Sequence, residues 1–170
     1  MNKILEKAQQ IKLVATDIDG VWTDSKMYYT NTGVFMKSFS TYDGMGANLL
    51  LKNNFIIAMI TSESENTDII FSRAKKLNIT QVYVNEHQKL KRLKYLMKKH
   101  ELKQENIAYI GDDLNDLDAL KYAGFSAAPK NAPILDYFKP DLITEKKGGE
   151  GAFRDLANVI FKANDITLKY

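Results

Sequence analysis

Residues 11–21, Ile11-Lys12-Leu13-Val14-Ala15-Thr16-Asp17-Ile18-Asp19-Gly20-Val21, join an apolar run to two carboxylates that stand two residues apart. The apolar run indicates a buried strand, and charged groups are rarely placed beside such a strand unless a cation or a reaction needs them. In open α/β sheets, ligands bind just outside the carboxyl ends of the strands. A carboxylate at that edge can act as a nucleophile, and Gly20 lets the backbone turn sharply toward an anion. A turn that caps a helix is the alternative interpretation of residues 17–21.

Three more apolar runs are typical of strands, and polar side chains follow each of them. The runs cover residues 55–60, 81–84 and 107–110. Thr61 ends the first, Lys89 opens a basic helical stretch after the second, and an acidic cluster at 111–116 follows the third. Because the carboxyl ends of parallel strands share one edge of a sheet, a doubly wound sheet would gather these groups around Asp17.

Taken in order, these groups resemble the four motifs of the haloacid dehalogenase superfamily. The matching positions are Asp17-x-Asp19-Gly-Val, Thr61, Lys89 and Gly111-Asp112-Asp113-x-x-Asp116. Residues 19–24 (DGVWTD), 42–46 (YDGMG) and 148–154 (GGEGAFR) are similar to the branch of the superfamily that has no cap domain. That branch contains the 3-deoxy-octulosonate 8-phosphate phosphatases, the nonulosonate (KDN or sialic acid) 9-phosphate phosphatases, and the C-terminal domains of some sialic acid cytidylyltransferases.

The resemblance implies an α/β fold of the Rossmann-like haloacid dehalogenase type, with a central parallel sheet flanked by helices. We expect residues 1–170 to form a single domain, with a β-hairpin at about residues 21–40 that turns near Asn31-Thr32-Gly33. Too few residues separate Gly20 from Asp43 for a cap domain. A hairpin with many exposed aromatic side chains needs a partner surface. In the similar family four subunits pair their hairpins, so we expect a homotetramer.

The resemblance also implies chemical roles, and the residue types suit them. Asp17 would attack phosphorus to form an aspartyl-phosphate, and Asp19 would act first as general acid and then as general base. Thr61 and Lys89 would bind the phosphoryl oxygens. The cofactor would be Mg²⁺, which prefers oxygen ligands. Its protein ligands would be Asp17, the main-chain carbonyl of Asp19 and Asp112, with Asp113 or Asp116 acting through water.

The residues after Thr61 bear on the choice of substrate. Octulosonate phosphatases usually have Thr-Gly-Arg at this point and KDN 9-phosphate phosphatases have Thr-Gly-Glu-Lys, whereas this chain has Thr61-Ser62-Glu63. The missing arginine favours a KDN or N-acylneuraminate 9-phosphate, with Glu63 accepting hydrogen bonds from sugar hydroxyls. The alternative substrate is 3-deoxy-D-manno-octulosonate 8-phosphate.

Two further residues are candidate substrate contacts. Arg154 could bind the sugar carboxylate, because a guanidinium matches a carboxylate with two hydrogen bonds, or it could pair with a nearby acid. Asp43 could contact the substrate or act as the N-cap of the following helix.

Two other classes of function are compatible with parts of the pattern. A response-regulator receiver domain also combines an acidic pair, an acceptor aspartate, a threonine and a lysine, but its acidic pair precedes the acceptor, whereas here Asp17-x-Asp19 comes first. A catalytically silent assembly module, like the phosphatase-like domain of some cytidylyltransferases, could have lost its nucleophile. The retained Asp17, Asp19 and Lys89 argue against silence.

Composition adds limits to these interpretations. The chain has 170 residues, a net charge of +3 and no cysteine, which leaves no disulfide or thiolate chemistry. Much of the positive charge lies in residues 89–100, whose leucine spacing predicts a solvated amphipathic helix without the aromatic platform of a nucleic-acid surface. Residues 1–7 predict a short amphipathic helix rather than a signal peptide. We therefore expect a cytoplasmic enzyme without nucleic-acid or membrane partners.

Overall fold

A computed structural model describes residues 3–167 of the chain. Within that range the strands are β1 (Leu13–Thr16), β2 (Tyr28–Thr30), β3 (Gly33–Met36), β4 (Ile56–Ile60), β5 (Gln81–Tyr83), β6 (Ile107–Ile110), β7 (Phe125–Ala128) and β8 (Leu142–Ile143). The α-helices are α1 (Lys3–Gln9), α2 (Thr41–Lys52), α3 (Asp68–Lys76), α4 (Lys89–Lys99), α5 (Leu117–Tyr122) and α6 (Ala152–Ala163). Short 3₁₀ segments lie at Gln104–Asn106, Leu114–Asp116 and Pro133–Asp136.

Six of the strands form one parallel sheet in the order β5-β4-β1-β6-β7-β8. The strand that begins the sequence motif, β1, is a central strand of this sheet, with Leu13 paired to Ile56 on one side and to Ile107 on the other. All four residues of β1 are buried, as expected for a parallel strand that helices cover on both faces. The predicted Rossmann-like fold is confirmed.

Two apolar clusters hold the helices against the two faces of the sheet. One joins Val14 and Met59 to side chains of α2, α3 and α6, and the other joins Leu13 to side chains of α4 and α5. Successive residues of β1 thus point to opposite faces. Burial of these apolar side chains is the main stabilising contribution to the fold.

Most predicted elements are confirmed, with ends that differ by one or two residues. Residues 107–110 form β6 as predicted, and Lys89 opens α4. Strand β7 has no clear sequence pattern, because Phe125-Ser126-Ala127-Ala128 consists mostly of small residues with low strand propensity. Strand β8 has only two residues, too few to show a periodicity.

The predicted hairpin is present as β2 and β3, an antiparallel pair joined through residues 31 and 32. Gly33, with a φ of +110°, accommodates the turn. Tyr29 and Phe35 are 64% and 69% exposed, so the aromatic side chains stand out from the chain as expected. Between β1 and α2, where a cap domain would be inserted, the structure shows no strand or helix other than β2 and β3.

Asp43 does not cap its own helix, which corrects one of its two predicted roles. Helix α2 is capped by Ser40, whose Oγ accepts a hydrogen bond from the N–H of Tyr42 at 3.2 Å. Asp43 lies in the first turn of α2 and accepts a hydrogen bond from the N–H of Arg154 in α6 at 2.9 Å. Because α2 packs against α6, the carboxylate of Asp43 accepts a hydrogen bond from the first turn of α6 rather than from its own helix.

Some predictions reach beyond what the structure describes. Residues 1–2 and 168–170 lie outside the described range, so the single domain over residues 1–170 and the first part of the amphipathic N-terminal helix stay predictions. Helix α1 accounts for the rest of that helix. No helix within residues 3–167 is both long and apolar enough to cross a bilayer. The cytoplasmic location also stays a prediction.

Candidate active site

An open pocket of about 420 Å³ lies at the carboxyl edge of the sheet, and we call it the strand-edge pocket. Its lining residues come from four segments: the end of β1, the start of the hairpin, the loop after β4 and the loop after β6. They are Asp17, Asp19, Ser25, Met27, Tyr29, Thr61, Ser62, Glu63, Asp112, Asp113 and Asn115. The sheet thus gathers most of the predicted site residues in one place.

Three carboxylates are crowded beside this pocket. Oxygen atoms of Asp17, Asp112 and Asp116 lie within 4.8 Å of one another, and all three side chains are buried. Burial and the neighbouring Asp116 raise the pKa of Asp17 well above its usual value, although Lys89 opposes this. The same causes raise the pKa of Asp112 to about 7. A hard divalent cation fits this set of donors, because it prefers oxygen ligands and would offset the repulsion between the carboxylates.

Lys89 neutralises part of this negative charge. Its Nζ lies 2.9 Å from Asp17 Oδ1 and 2.7 Å from Asp116 Oδ1, and its side chain is buried. Burial disfavours a charge on Lys89, but Asp17 and Asp116 outweigh that effect and raise its pKa. The lysine therefore stays protonated, next to the atoms where a phosphoryl group would bind.

Asp116 accepts hydrogen bonds from four groups of the protein. Its Oδ1 accepts hydrogen bonds from Lys89 and from the hydroxyl of Tyr109, the latter at 2.5 Å. Its Oδ2 accepts from the N–H groups of Asp112 and Asp113 at 2.9 Å and 3.4 Å. Asp116 thus orients the loop after β6 and Lys89. Its predicted role at the metal, through water, stays a prediction.

Tyr109 is a site residue that the sequence reasoning missed. It lies on β6, it is fully buried, and burial together with Asp116 raises the pKa of its hydroxyl well above the usual value. The only signal in the sequence is one polar hydroxyl within an otherwise aliphatic strand.

Asp19 is held by two side chains of the hairpin region. Its Oδ2 lies 2.6 Å from Lys37 Nζ, and its Oδ1 accepts a hydrogen bond from Thr23 Oγ1 at 3.3 Å. Lys37 follows β3, and its Nζ also lies 3.2 Å from Glu63 Oε2. Lys37 was missed as well, because nothing in the sequence shows that the hairpin folds back over the sheet edge.

Thr61 and Glu63 form a small loop at the end of β4. Thr61 is buried and its Oγ1 accepts a hydrogen bond from the N–H of Glu63 at 3.1 Å. Glu63 Oε1 accepts from the N–H groups of Ser64 and Glu65, both at 3.0 Å. Partial burial works against ionisation of Glu63, but the Glu65 N–H and Lys37 prevail and lower its pKa. Both predicted residues line the strand-edge pocket.

Gly20 and Gly148 allow the close packing behind the carboxylates. Gly20 has a φ of +88°, and a Cβ atom there would lie 1.9 Å from Asp112 Oδ2. A Cβ atom on Gly148 would lie 1.8 Å from the carbonyl oxygen of Gly20. The glycine-rich stretch at 148–151 thus packs its backbone directly against the turn after β1.

Asp43 and Arg154 are not brought into the strand-edge pocket of their own chain. Asp43 is fully buried, and burial raises its pKa to about 6 although the N–H of Arg154 opposes this. The guanidinium of Arg154 donates from Nε to Asn158 Oδ1 at 2.8 Å, and Arg154 lines a separate pocket with Tyr42 and Met45. Their predicted contact with the substrate has no support within one chain, because α6 carries Arg154 to that other pocket and packs over Asp43.

Comparison with known protein sequences gives a consistent set of relatives. A family model for haloacid dehalogenase-like hydrolases matches residues 3–135. The chain is 33% identical over 162 residues to the 3-deoxy-D-manno-octulosonate 8-phosphate phosphatase KdsC of Yersinia pestis, which covers 95% of this chain and 86% of that protein.

Solved structures agree with these relatives. The 3-deoxy-D-manno-octulosonate 8-phosphate phosphatase of Moraxella catarrhalis, in complex with magnesium, phosphate and KDO, superposes with a TM-score of 0.91 at 38% identity, over 97% of this chain and 94% of that chain. The cobalt-bound phosphatase of Haemophilus influenzae superposes with a TM-score of 0.88 at 34% identity, over 94% of this chain and 92% of that chain.

Proposed function

This chain belongs to the haloacid dehalogenase-like hydrolase family, and from that premise we propose that it is a Mg²⁺-dependent phosphatase of 3-deoxy-D-manno-octulosonate 8-phosphate. That it hydrolyses phosphomonoesters follows from its relatives. The proposal concerns its substrate, its cofactor and the roles of its residues. The observation that carries it is the gathering of Asp17, Asp19, Thr61 and Asp112 in one pocket, on a chain that superposes on an octulosonate phosphatase with magnesium and KDO bound.

In the first half of the proposed reaction, a carboxylate oxygen of Asp17 attacks phosphorus in line with the departing sugar oxygen. The bond from phosphorus to the sugar oxygen breaks, and an aspartyl-phosphate remains on Asp17. The carboxyl group of Asp19 gives its proton to the departing alkoxide. Thr61 and Lys89 hold the phosphoryl oxygens, and Lys89 offsets their negative charge.

In the second half, Asp19 takes a proton from a water molecule that attacks the aspartyl-phosphate. The bond between phosphorus and Asp17 breaks, inorganic phosphate leaves, and both carboxyl groups return to their starting states. Tyr109 and Asp116 keep Lys89 and the loop after β6 in place during both steps.

The proposed Mg²⁺ ligands are Asp17, Asp112 and the main-chain carbonyl of Asp19, with Asp113 or Asp116 acting through water. When bound, Mg²⁺ neutralises charge between an anionic nucleophile and an anionic phosphate. The raised pKa values of Asp17 and Asp112 support a cation here, because the protein alone leaves their charges poorly compensated.

The relatives favour the octulosonate over the nonulosonate, which the residues after Thr61 favour. Both Yersinia pestis and Moraxella catarrhalis proteins are octulosonate phosphatases. A KDN or N-acylneuraminate 9-phosphate is a second candidate, because Glu63 stands in the pocket where an arginine was expected for the octulosonate. The carboxylate of Glu63 is already bonded to Lys37 and to main-chain N–H groups, which leaves it less free to bind hydroxyls.

We also propose that the chain forms a homotetramer through its hairpins. The support is the exposure of Tyr29, Phe35 and Met36, which a monomer would present to water. A neighbouring subunit would then shield the open strand-edge pocket, because no cap domain lies between β1 and α2 in the described part of the chain.

Phosphate release with and without Mg²⁺ tests the proposed function. The substrates are octulosonate 8-phosphate and the 9-phosphates of KDN and N-acetylneuraminate, measured in parallel. We expect the octulosonate to have the highest kcat/KM, and Asp17→Asn to lower turnover by at least about a thousandfold. Asp136→Asn, which changes an exposed aspartate away from the pocket, is the matched control.

Each outcome of this assay has a distinct meaning. A preference for a nonulosonate would replace the proposed substrate and keep the mechanism. Equal turnover by Asp17→Asn and the wild type would refute the nucleophile. Full activity in excess chelator would refute the cofactor.

A further inference from the structure

The hairpin contributes a charged side chain to the site that the four-motif pattern does not contain. Lys37 follows β3, and its side chain is 1% exposed. Its Nζ lies 2.6 Å from Asp19 Oδ2 and 3.2 Å from Glu63 Oε2. A lysine is almost never this deeply buried unless its charge has a partner, and here the carboxylate of Glu63 provides it. Asp19 Oδ2 can accept the hydrogen bond from Lys37 while the carboxyl group carries a proton.

The ammonium group of Lys37 lies between the carboxyl groups of Asp19 and Glu63. Glu63 is fixed by the N–H groups of Ser64 and Glu65, so it is a rigid anchor for the ammonium group. Short hydrogen bonds between charged groups are directional as well as strong. The position of Lys37 therefore limits the orientations open to the carboxyl group of Asp19.

We propose that Lys37 is a positioning residue that aims the carboxyl group of Asp19 at the leaving oxygen, with Glu63 as its anchor. This inference rests on the proposed role of Asp19 as the proton donor. It gives the hairpin a part in the chemistry, beyond any part in assembly, and it explains why the lysine that follows β3 is buried. It also gives Glu63 a use that does not depend on which sugar is bound.

The alternative is that Lys37 only fastens the hairpin to the sheet. The two cases differ in their dependence on the leaving group. A poor leaving group, such as a sugar alkoxide or phenolate, needs the proton from Asp19 in the transition state, whereas p-nitrophenolate leaves readily without it. Misaiming Asp19 would slow the first kind of substrate selectively, and loosening the hairpin would slow both kinds together.

The experiment measures kcat/KM for phenyl phosphate, p-nitrophenyl phosphate and octulosonate 8-phosphate. This parameter reports the steps up to departure of the leaving group, so hydrolysis of the aspartyl-phosphate does not enter it. The variants are Lys37→Met, which keeps the chain length without the charge, and Lys37→Arg, which keeps the charge in a different geometry. Lys26→Met, at an exposed lysine of the same segment, is the matched control.

We expect Lys37→Met to lower the ratio of phenyl to p-nitrophenyl kcat/KM by about tenfold or more, since proton donation is worth about a hundredfold or more. Lys37→Arg and Glu63→Gln should lower it less, and Lys26→Met should leave it unchanged. In an Asp19→Asn background, Lys37→Met should change the ratio by less than about twofold, because a residue that acts through Asp19 has nothing left to position.

An equal loss on both aryl phosphates, or an undiminished effect of Lys37→Met in the Asp19→Asn background, would overturn the inference. If Lys37→Met does not fold, Lys37→Arg and Glu63→Gln decide by the same ratio. The aryl phosphates test this inference independently of the proposed substrate. If octulosonate 8-phosphate is not hydrolysed but Lys37→Met still lowers the ratio of phenyl to p-nitrophenyl kcat/KM, only the proposed function is overturned.

Discussion

Asp43 carries a buried negative charge whose effect on stability can be measured. Its Oδ1 accepts the N–H of Arg154 at 2.9 Å, whereas its Oδ2 has no hydrogen-bond partner among residues 3–167. Burial raises its pKa from 3.8 to about 6, against the opposing effect of the Arg154 N–H. The folded protein therefore binds this proton more tightly than the unfolded chain does.

The sign and size of the effect follow from proton linkage. Because the pKa is higher in the folded state, protonated Asp43 favours folding in acid, and this contribution is lost as the pH rises from below 4 to above 6. A change in pKa from 3.8 to about 6 corresponds to about 3 kcal/mol in total, of which about 2 kcal/mol falls between pH 4 and pH 7. Asp43→Asn keeps an oxygen for the Arg154 N–H and removes the titration.

Urea unfolding of the wild type and Asp43→Asn across this pH range is the appropriate assay. We expect the unfolding free energy of the variant, relative to the wild type, to rise by about 2 kcal/mol from pH 4 to pH 7. The amide introduced by Asp43→Asn can change the unfolding free energy by a constant amount, which does not alter the pH dependence of the difference. The carboxylates of the strand-edge pocket titrate in both proteins, so their effect cancels. Asp136→Asn is the control and should run parallel to the wild type. Parallel curves for Asp43→Asn and the wild type would refute the reasoning.

Three other changes have defined outcomes. Gly20→Ala puts a Cβ atom 1.9 Å from Asp112 Oδ2 on a residue with positive φ, so we expect an unfolding free energy lower by about 1–2 kcal/mol and Mg²⁺ activation weakened by about tenfold or more; thermal melts and Mg²⁺ titrations measure both, and unchanged activation would count against Asp112 as a ligand. Tyr109→Phe removes a donor from buried Asp116 and should cost about 1–3 kcal/mol in urea unfolding; no loss would show that Asp116 has found another donor. Phe35→Ser, at a side chain that is 69% exposed, should shift sedimentation toward smaller species with an unchanged circular dichroism spectrum, and an intact tetramer would remove the hairpin from the proposed interface.

The centre of the fold could be predicted because its strands are buried on both faces. Such strands appear as continuous apolar runs, and acidic residues follow within two positions of the ends of β1 and β6. The position of a carboxylate at the sheet edge could thus be inferred together with the strand. Lys89 was different, since a lysine at a helix start is usually exposed, and only the family pattern singled it out.

The parts that could not be predicted depend on contacts between distant segments. Lys37 meets Asp19 only because the hairpin folds back toward the sheet, and no local pattern encodes that direction. Asp43 has the residue type and position of a helix cap, yet packing turns it onto α6. Tyr109 is buried in the core, and its hydroxyl donates a hydrogen bond to Asp116. The sequence indicates its burial but not its contact with Asp116.

The central position of β1 has a consequence for the order in which the protein is made. Strand β1 is synthesised first, but its neighbours in the sheet begin at Ile56 and Ile107. During translation β1, which Asp17 follows directly, cannot pair with its second neighbour until β6 has been synthesised. Such distant pairings are slow to form. The loop after β6, with Asp112, is completed at the same moment. Closing the sheet and bringing Asp17 together with Asp112 are therefore one event in folding.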